Sequence, residues 1–219
     1  NERAKDNPDM IEALRKVNEK YEKDSLEKMT RMSAGTTFVT GSKQLVKALR
    51  NNDIRLLLGI PGVQNILFYN EVATWDGGTC AVVTSERNAP SIATSYYMKS
   101  GRLACLGLIG GPGITHAAAG ILESLLTNTP MLIVTAAINE SSKYGYQLHD
   151  VNNVSLLRPV CKNVLRVKEV ANIIPVIAKA VSLALTEPKG PVAVDIPCDL
   201  FYQQGNYKEI SKSMKQVNP

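Results

Sequence analysis

Aromatic residues are scarce in this 219-residue sequence: one Trp, three Phe and eight Tyr make up 5% of it. The 25 Lys and Arg are interleaved among 20 Asp and Glu, so the net charge of +5 and the pI near 9.0 describe a solvated surface. Without clustered basic residues or interleaved rings, no nucleic-acid partner is expected. No stretch approaches the roughly 20 uninterrupted apolar residues of a membrane-crossing helix, so a soluble fold without a membrane span is expected. The two histidines, His116 and His149, are not placed for a Ser/His/Asp relay. A P-loop is absent.

Cysteine is also sparse. Cys80, Cys105, Cys161 and Cys198 form no CxxC pair, and three of them lie in or beside apolar runs. That pattern predicts reduced, buried thiols rather than a zinc site or a disulfide framework. The expected location is intracellular, cytoplasmic or mitochondrial, and not secreted. The sequence opens on Asn1 with no apolar signal segment, which implies that an upstream piece was removed or never included.

The length suits one core with an appendage. Residues 1–34 are dense in both charges, with Met10, Ile11, Leu14, Val17, Tyr21, Leu26, Met29 and Met32 at mostly three- and four-residue spacings. This predicts a charged amphipathic helical extension. It either packs on its own domain or docks on another subunit. Residues 35–204 read as the main domain and 205–219 as a polar tail.

Within the main domain, short apolar runs alternate with helical patterns. Strands are expected at Leu56–Ile60, Cys80–Thr84, Leu103–Ile109, Met131–Ala136, Asn163–Val167 and Pro191–Ile196. Helices are expected at Ser42–Asn51, Gln64–Ala73, Asn88–Lys99, Ile114–Leu126 and Ala171–Thr186. Near-continuous apolar strands separated by helices predict an α/β fold: a doubly wound, mainly parallel sheet with helices on both faces. Such sheets bind ligands where strands turn into helices, which directs attention to residues 61–64, 85–88, 110–116 and 137–150.

Two of those turns carry chemistry. Gly110 to His116 (GGPGITH) follows an apolar strand and opens an Ala-rich helix; its glycines allow a sharp turn and close approach of a ligand to the helix N-terminus. It narrowly misses the dinucleotide fingerprint, since His116 stands where the third Gly belongs. Glu86 follows the second expected strand. Alone it reads as a solvated carboxylate favoured by a helix dipole.

Taken in order, Gly59-Ile60-Pro61-Gly62, Ser85-Glu86-Arg87-Asn88-Ala89, Tyr96 with Ser100-Gly101, Gly111 to His116, Tyr146-Gln147-Leu148-His149-Asp150 and Gly190 to Pro197 (GPVAVDIP) share the spacing of a known family. Residues 38 to about 202 resemble the N-terminal pyrimidine-binding (PYR) domain of thiamine-diphosphate enzymes of the acetolactate synthase, pyruvate oxidase and 2-hydroxyacyl-CoA lyase type. The resemblance implies that Glu86 bonds the N1′ atom of the cofactor's aminopyrimidine and favours the tautomer that removes the thiazolium C2 proton. That role calls for a carboxyl group in a largely water-free pocket. It further implies that Gly59, Pro61 and Gly62 form a loop over the site, that Gly111, Pro112 and Gly113 form the turn under the pyrimidine edge, and that Gln147 and His116 lie near substrate. His116 also has a plainer reading, as a hydrogen-bonding residue at the helix start.

The sequence departs from the family in three respects. It has no Gly-Asp-Gly segment for magnesium and diphosphate, Ser85 replaces a histidine common before the glutamate, and Pro90 falls in the first turn of the expected helix, which should therefore start late or be distorted. Three functions follow as alternatives. The chain is the PYR subunit or fragment of a lyase or carboligase (transferase) acting on a 2-oxo acid or 2-hydroxyacyl thioester, completed by a diphosphate-binding subunit. Otherwise it is a catalytically inactive PYR-like subunit of a larger assembly, or a nucleotide-binding protein using the Gly111 turn. Under the first, thiamine diphosphate with magnesium is bound only in a complete assembly, with none expected for the isolated chain, and the protein is an oligomer. No metal-ligating residues are assigned.

Overall fold

A computed structural model describes residues 38–206 apart from residue 144. The expected N-terminal helix over 1–34, and the tail beyond 206, lie outside the described residues. The four turns expected to bind ligands fall within them, residue 144 excepted.

Six strands form one parallel sheet: β2 (Leu56–Gly59), β3 (Thr79–Val82), β4 (Ala104–Ile109), β5 (Met131–Ala137), β6 (Asn163–Arg166) and β7 (Pro191–Pro197), in the order β3-β2-β4-β5-β7-β6. Helices α1 (Gly41–Asn51), α2 (Ile66–Ala73) and α6 (Ile173–Leu185) supply Leu45, Phe68 and Ile177 to the core on one face. On the other, α3 (Asn88–Ser100), α4 (Pro112–Leu126) and α5 (Asn153–Leu157) supply Ala93, Ile121 and Leu157. The fold is the expected doubly wound α/β sheet. Strands β5 and β7 are buried at every position, whereas the edge strands β3 and β6 are partly exposed. Among the described residues no helix is long and apolar enough to cross a membrane.

The boundaries shift for local reasons. Helix α2 begins at Ile66 and not Gln64, because the Asn65 side chain folds back to accept from Gly62 N at 2.6 Å and donate to Ile60 O at 3.4 Å, making a turn first. Helix α4 begins two residues early, with Pro112 at its first position, where a missing N–H costs nothing. The delayed or distorted start expected for α3 is not found. It begins at Asn88 as expected, and Pro90 sits in the first turn, whose N–H groups have no intrahelical partner anyway. Pro90 is buried against α4: a Cβ built on Gly120 would stand 2.8 Å from Pro90 Cβ. A small antiparallel pair, β1 (Phe38–Thr40) with β8 (Gln204–Asn206), was not read from the sequence.

All four cysteines are free; burial pushes the Cys161 thiol up to about 12 and raises Cys105 as well. The Pro90–Gly120 contact gives a test of helix packing. Gly→Ala within a helix normally gains about 1 kcal/mol, but a 2.8 Å approach must open the helix pair. Gly120→Ala is therefore expected to destabilise, by about 1–3 kcal/mol in urea denaturation, and to cost much less when made in Pro90→Gly, which lacks the Cβ that the new methyl meets. A stabilised Gly120→Ala would show that the contact yields freely.

Candidate functional site

In the sheet order, β2 and β4 are neighbours, yet the chain leaves β2 for α2 on one face and leaves β4 for α4 on the other. Loops diverging from adjacent parallel strands open a crevice at the carboxyl ends of those strands. The loop at 60–65 and the turn at 110–111 form its two sides. Ile109 joins them: a Cβ on Gly62 would lie 2.7 Å from its Cγ2, and one on Gly113 would lie 3.0 Å from its Cγ1.

Glu86 enters from the end of β3. It is 8% exposed, and its backbone oxygen accepts from Ala89 N at 3.2 Å as α3 begins. Its carboxylate Oε2 lies 3.3 Å from His116 Nδ1, which donates when the imidazole carries a proton there. His116 projects from α4 with its side chain 60% exposed, so this pair closes only one side of the carboxylate. The other oxygen, Oε1, would stand 3.7 Å from a Cβ on Gly113. The glycine keeps that space clear.

The remaining expected residues divide by position. Gly59 lies below the crevice, with φ +147 and a hypothetical Cβ 2.3 Å from Gly107 O and 2.5 Å from the Tyr69 hydroxyl; it serves the close packing of β2, β4 and α2. Tyr69 donates to Gly107 O at 2.8 Å, and burial holds its phenol far above the usual range. Pro61 and Pro112 are exposed on the two rims. Gly111 has φ +62 and ψ −102, a conformation open to glycine. Gln147 is held within its loop, donating to Asn139 O at 2.8 Å and accepting from Asn139 N at 3.1 Å. The same loop crosses to the first: Gln64 Nε2 donates to Leu148 O at 3.1 Å and lies 3.4 Å from His149 Nδ1. The structure thus brings Gly62 and Gly113 against Ile109 and Glu86 beside Gly113 and His116, and places Gln147 in the loop beyond.

Several organising residues were missed. Asn65, 2% exposed, ties the first loop; its place three residues after Gly62 was the available signal. Asp195 is fully buried at the end of β7, accepting from Thr135 Oγ1 at 2.8 Å and Asn153 Nδ2 at 3.0 Å and paired with Arg166, which also reaches Glu140. Burial pushes the Asp195 carboxyl above the usual carboxylate range, although these hydrogen bonds and the Arg166 charge act the other way. Among the described residues no three His, Cys, Asp or Glu side chains gather as a metal site.

Residues 39–156, which hold the crevice, Glu86 and the glycine turn, match the thiamine pyrophosphate enzyme N-terminal TPP binding domain. The chain belongs to this family. It is similar to the acetolactate synthase large subunit of Haemophilus influenzae, at 28% identity over 187 residues, covering 82% of this chain and 33% of that protein. It is also similar to the isozyme 3 large subunit of Escherichia coli, at 27% identity over 185 residues with 83% and 32% covered. The large subunit of Corynebacterium glutamicum is 29% identical over 170 residues, with 77% and 27% covered. The chain spans about a third of the length of the curated relatives it matches.

The two crevice glycines should respond differently. Gly59→Ala, blocked by backbone and strained at positive φ, is expected to destabilise by about 3 kcal/mol or more, and Gly113→Ala, which meets Ile109 Cγ1 at 3.0 Å and no backbone, by clearly less, about 1 kcal/mol. Urea midpoints measured side by side decide it; the reverse order would contradict the assignment of Gly59 to the close packing of β2, β4 and α2.

Proposed function

We propose that this chain is the pyrimidine-binding part of a thiamine-diphosphate-dependent lyase or carboligase acting on a 2-oxo acid or a 2-hydroxyacyl thioester. The observation that carries this reading is the buried carboxylate of Glu86 beside the space that Gly113 keeps open, at the crevice between the ends of β2 and β4. When bound, thiamine diphosphate supplies the carbanion chemistry at its thiazolium ring. The residues present fit the pyrimidine end of that cofactor. Ile109, between Gly62 and Gly113, offers an apolar ledge for a flat ring, and Glu86 Oε1 faces the same space to share a proton with a ring nitrogen.

In this reading Gly59, Pro61 and Gly62 carry the loop over the ring, Gly111, Pro112 and Gly113 the turn beneath it, and Gln147 stands toward substrate. His116 steadies Oε2 of Glu86, leaving Oε1 for the cofactor. Magnesium and diphosphate are held by a diphosphate-binding domain outside these 219 residues, which contain no Gly-Asp-Gly segment. Val63, Tyr146, Leu148 and Val151, 46–89% exposed on the loops around the crevice, supply an apolar rim for such a partner. The protein acts inside the cell, as an oligomer.

A structural subunit is the second reading, favoured by the Glu86–His116 contact, which can serve as a brace between the β3 end and α4.

Glu86→Gln separates the two. In the assembly with its diphosphate-binding partner, hydrogen–deuterium exchange at cofactor C2 is expected to slow about 10²- to 10⁴-fold with little change in melting temperature. Wild-type exchange in the variant would remove Glu86 from catalysis. Calorimetric titration of the lone chain with cofactor and magnesium provides another check: no measurable binding is expected, because most affinity comes from the metal–diphosphate contacts. Sub-micromolar binding would overturn the assignment of those contacts to a partner.

A further inference from the structure

The turn that forms one wall of the crevice is held from the opposite side of the sheet's end by groups to which the proposed chemistry gives no role. Gly110 N donates to Ala136 O at 3.0 Å, at the end of β5, and Gly111 N donates to Asn153 Oδ1 at 3.2 Å, at the start of α5. Asn153 is 2% exposed. Its amide nitrogen donates to Asp195 Oδ1 at 3.0 Å, so one carboxamide spans the gap between the turn and a fully buried carboxylate. A Cβ on Gly110 would lie 2.9 Å from both Asn153 side-chain termini, so the fit is mutual: this asparagine excludes any larger residue at 110.

Each end of the carboxamide has one suitable partner. The peptide N–H can only donate, which fixes Oδ1 toward Gly111. Asp195 Oδ1 can only accept when ionised, which fixes Nδ2 toward it. Thr135 and Arg166 then hold Asp195 from two further strands. The orientation of Asn153 is thereby determined at both ends, and a buried amide so placed resists rotation because a flip leaves a donor facing a donor.

We infer that Asn153 is a positioning residue for the crevice: seated on Asp195, it fixes the Gly110–Gly111 turn, and through the first turn of α4 it sets where Gly113 and His116 stand against Glu86. The link onward is short, since Thr115 N donates to Gly111 O at 3.0 Å and His116 follows directly. The importance of the turn for catalysis rests on the proposed function; its anchoring by Asn153 does not.

Amide exchange and ¹H–¹⁵N spectra of the full chain test the anchoring without any cofactor. In Asn153→Ala the Gly111 amide is expected to lose protection at least about tenfold relative to amides within β4, and the Gly113 and His116 amide resonances to move. Thr135→Val, which removes a bond to Asp195 with no contact to the turn, is the control for general loosening and should leave those resonances in place. The exchanged pair Asn153→Asp with Asp195→Asn keeps one carboxylate and one carboxamide. The carboxylate, now on α5, still accepts from Gly111 N, while the carboxamide, now on β7, places its Nδ2 where Asp195 Oδ1 stood, donating to that carboxylate and to Thr135 Oγ1, and its oxygen accepts from Arg166. Protection of the Gly111 amide should return in this double variant, which also covers the case in which Asn153→Ala fails to fold. An unchanged Gly111 amide in Asn153→Ala, an equal disturbance in Thr135→Val, or a folded double variant with Gly111 still unprotected would each overturn the inference. In the assembled enzyme Asn153→Ala is expected to lower kcat more than it raises KM for substrate, and this last measurement alone depends on the thiamine reading.

Discussion

Strands β5 and β7 are buried along their whole length, and a strand covered on both faces keeps a polar side chain only if that group is paired inside the protein. This constraint sorts the polar residues. Within the central strands they are Thr135 and Asp195, bonded to one another. The groups that line the crevice lie instead beyond the carboxyl ends of the strands, where loops can diverge and water or a ligand can reach. Glu86, the Gly62 loop and the Gly111 turn meet there because β2 and β4 are adjacent while their helices lie on opposite faces of the sheet. The crevice is a consequence of chain order, and the side chains refine it.

The sequence made the layered sheet legible because its strands are nearly uniform apolar runs. Leu103–Ile109 and Met131–Ala136 were read within a residue of their ends. The glycine turn and Glu86 were readable for a related reason: punctuation by Gly and Pro after an apolar run leaves few conformations open. What stayed hidden depends on contacts distant in sequence. Asn153 meets Gly111 across 42 residues and Asp195 across another 42, and nothing near either residue signals the pairing. The β1–β8 pair joins the two ends of the described chain through three residues a side, too short for a period to show.

Pro90 shows how a local rule can fail for a tertiary reason. A proline three residues into a helix suggests a delayed start if the segment is read alone. Within the protein the first-turn N–H groups have no helical partner, so the missing donor is not felt, and the ring packs beside Gly120 of the neighbouring helix. The proline is compatible with α3 because α4 has a glycine opposite it. Gly110 and Asn153 form a second such match between a missing side chain and a bulky neighbour.

The Pro90–Gly120 contact has a further effect on the crevice. A rigid ring against bare main chain bounds the approach of α3 and α4, beside the Thr94–Ser124 hydroxyl pair at 2.9 Å. Glu86 precedes one of these helices and His116 rides on the other. The Pro90–Gly120 contact thus limits how closely the two backbones that carry carboxylate and imidazole can approach, and the side-chain torsions of Glu86 and His116 set the remaining distance between them.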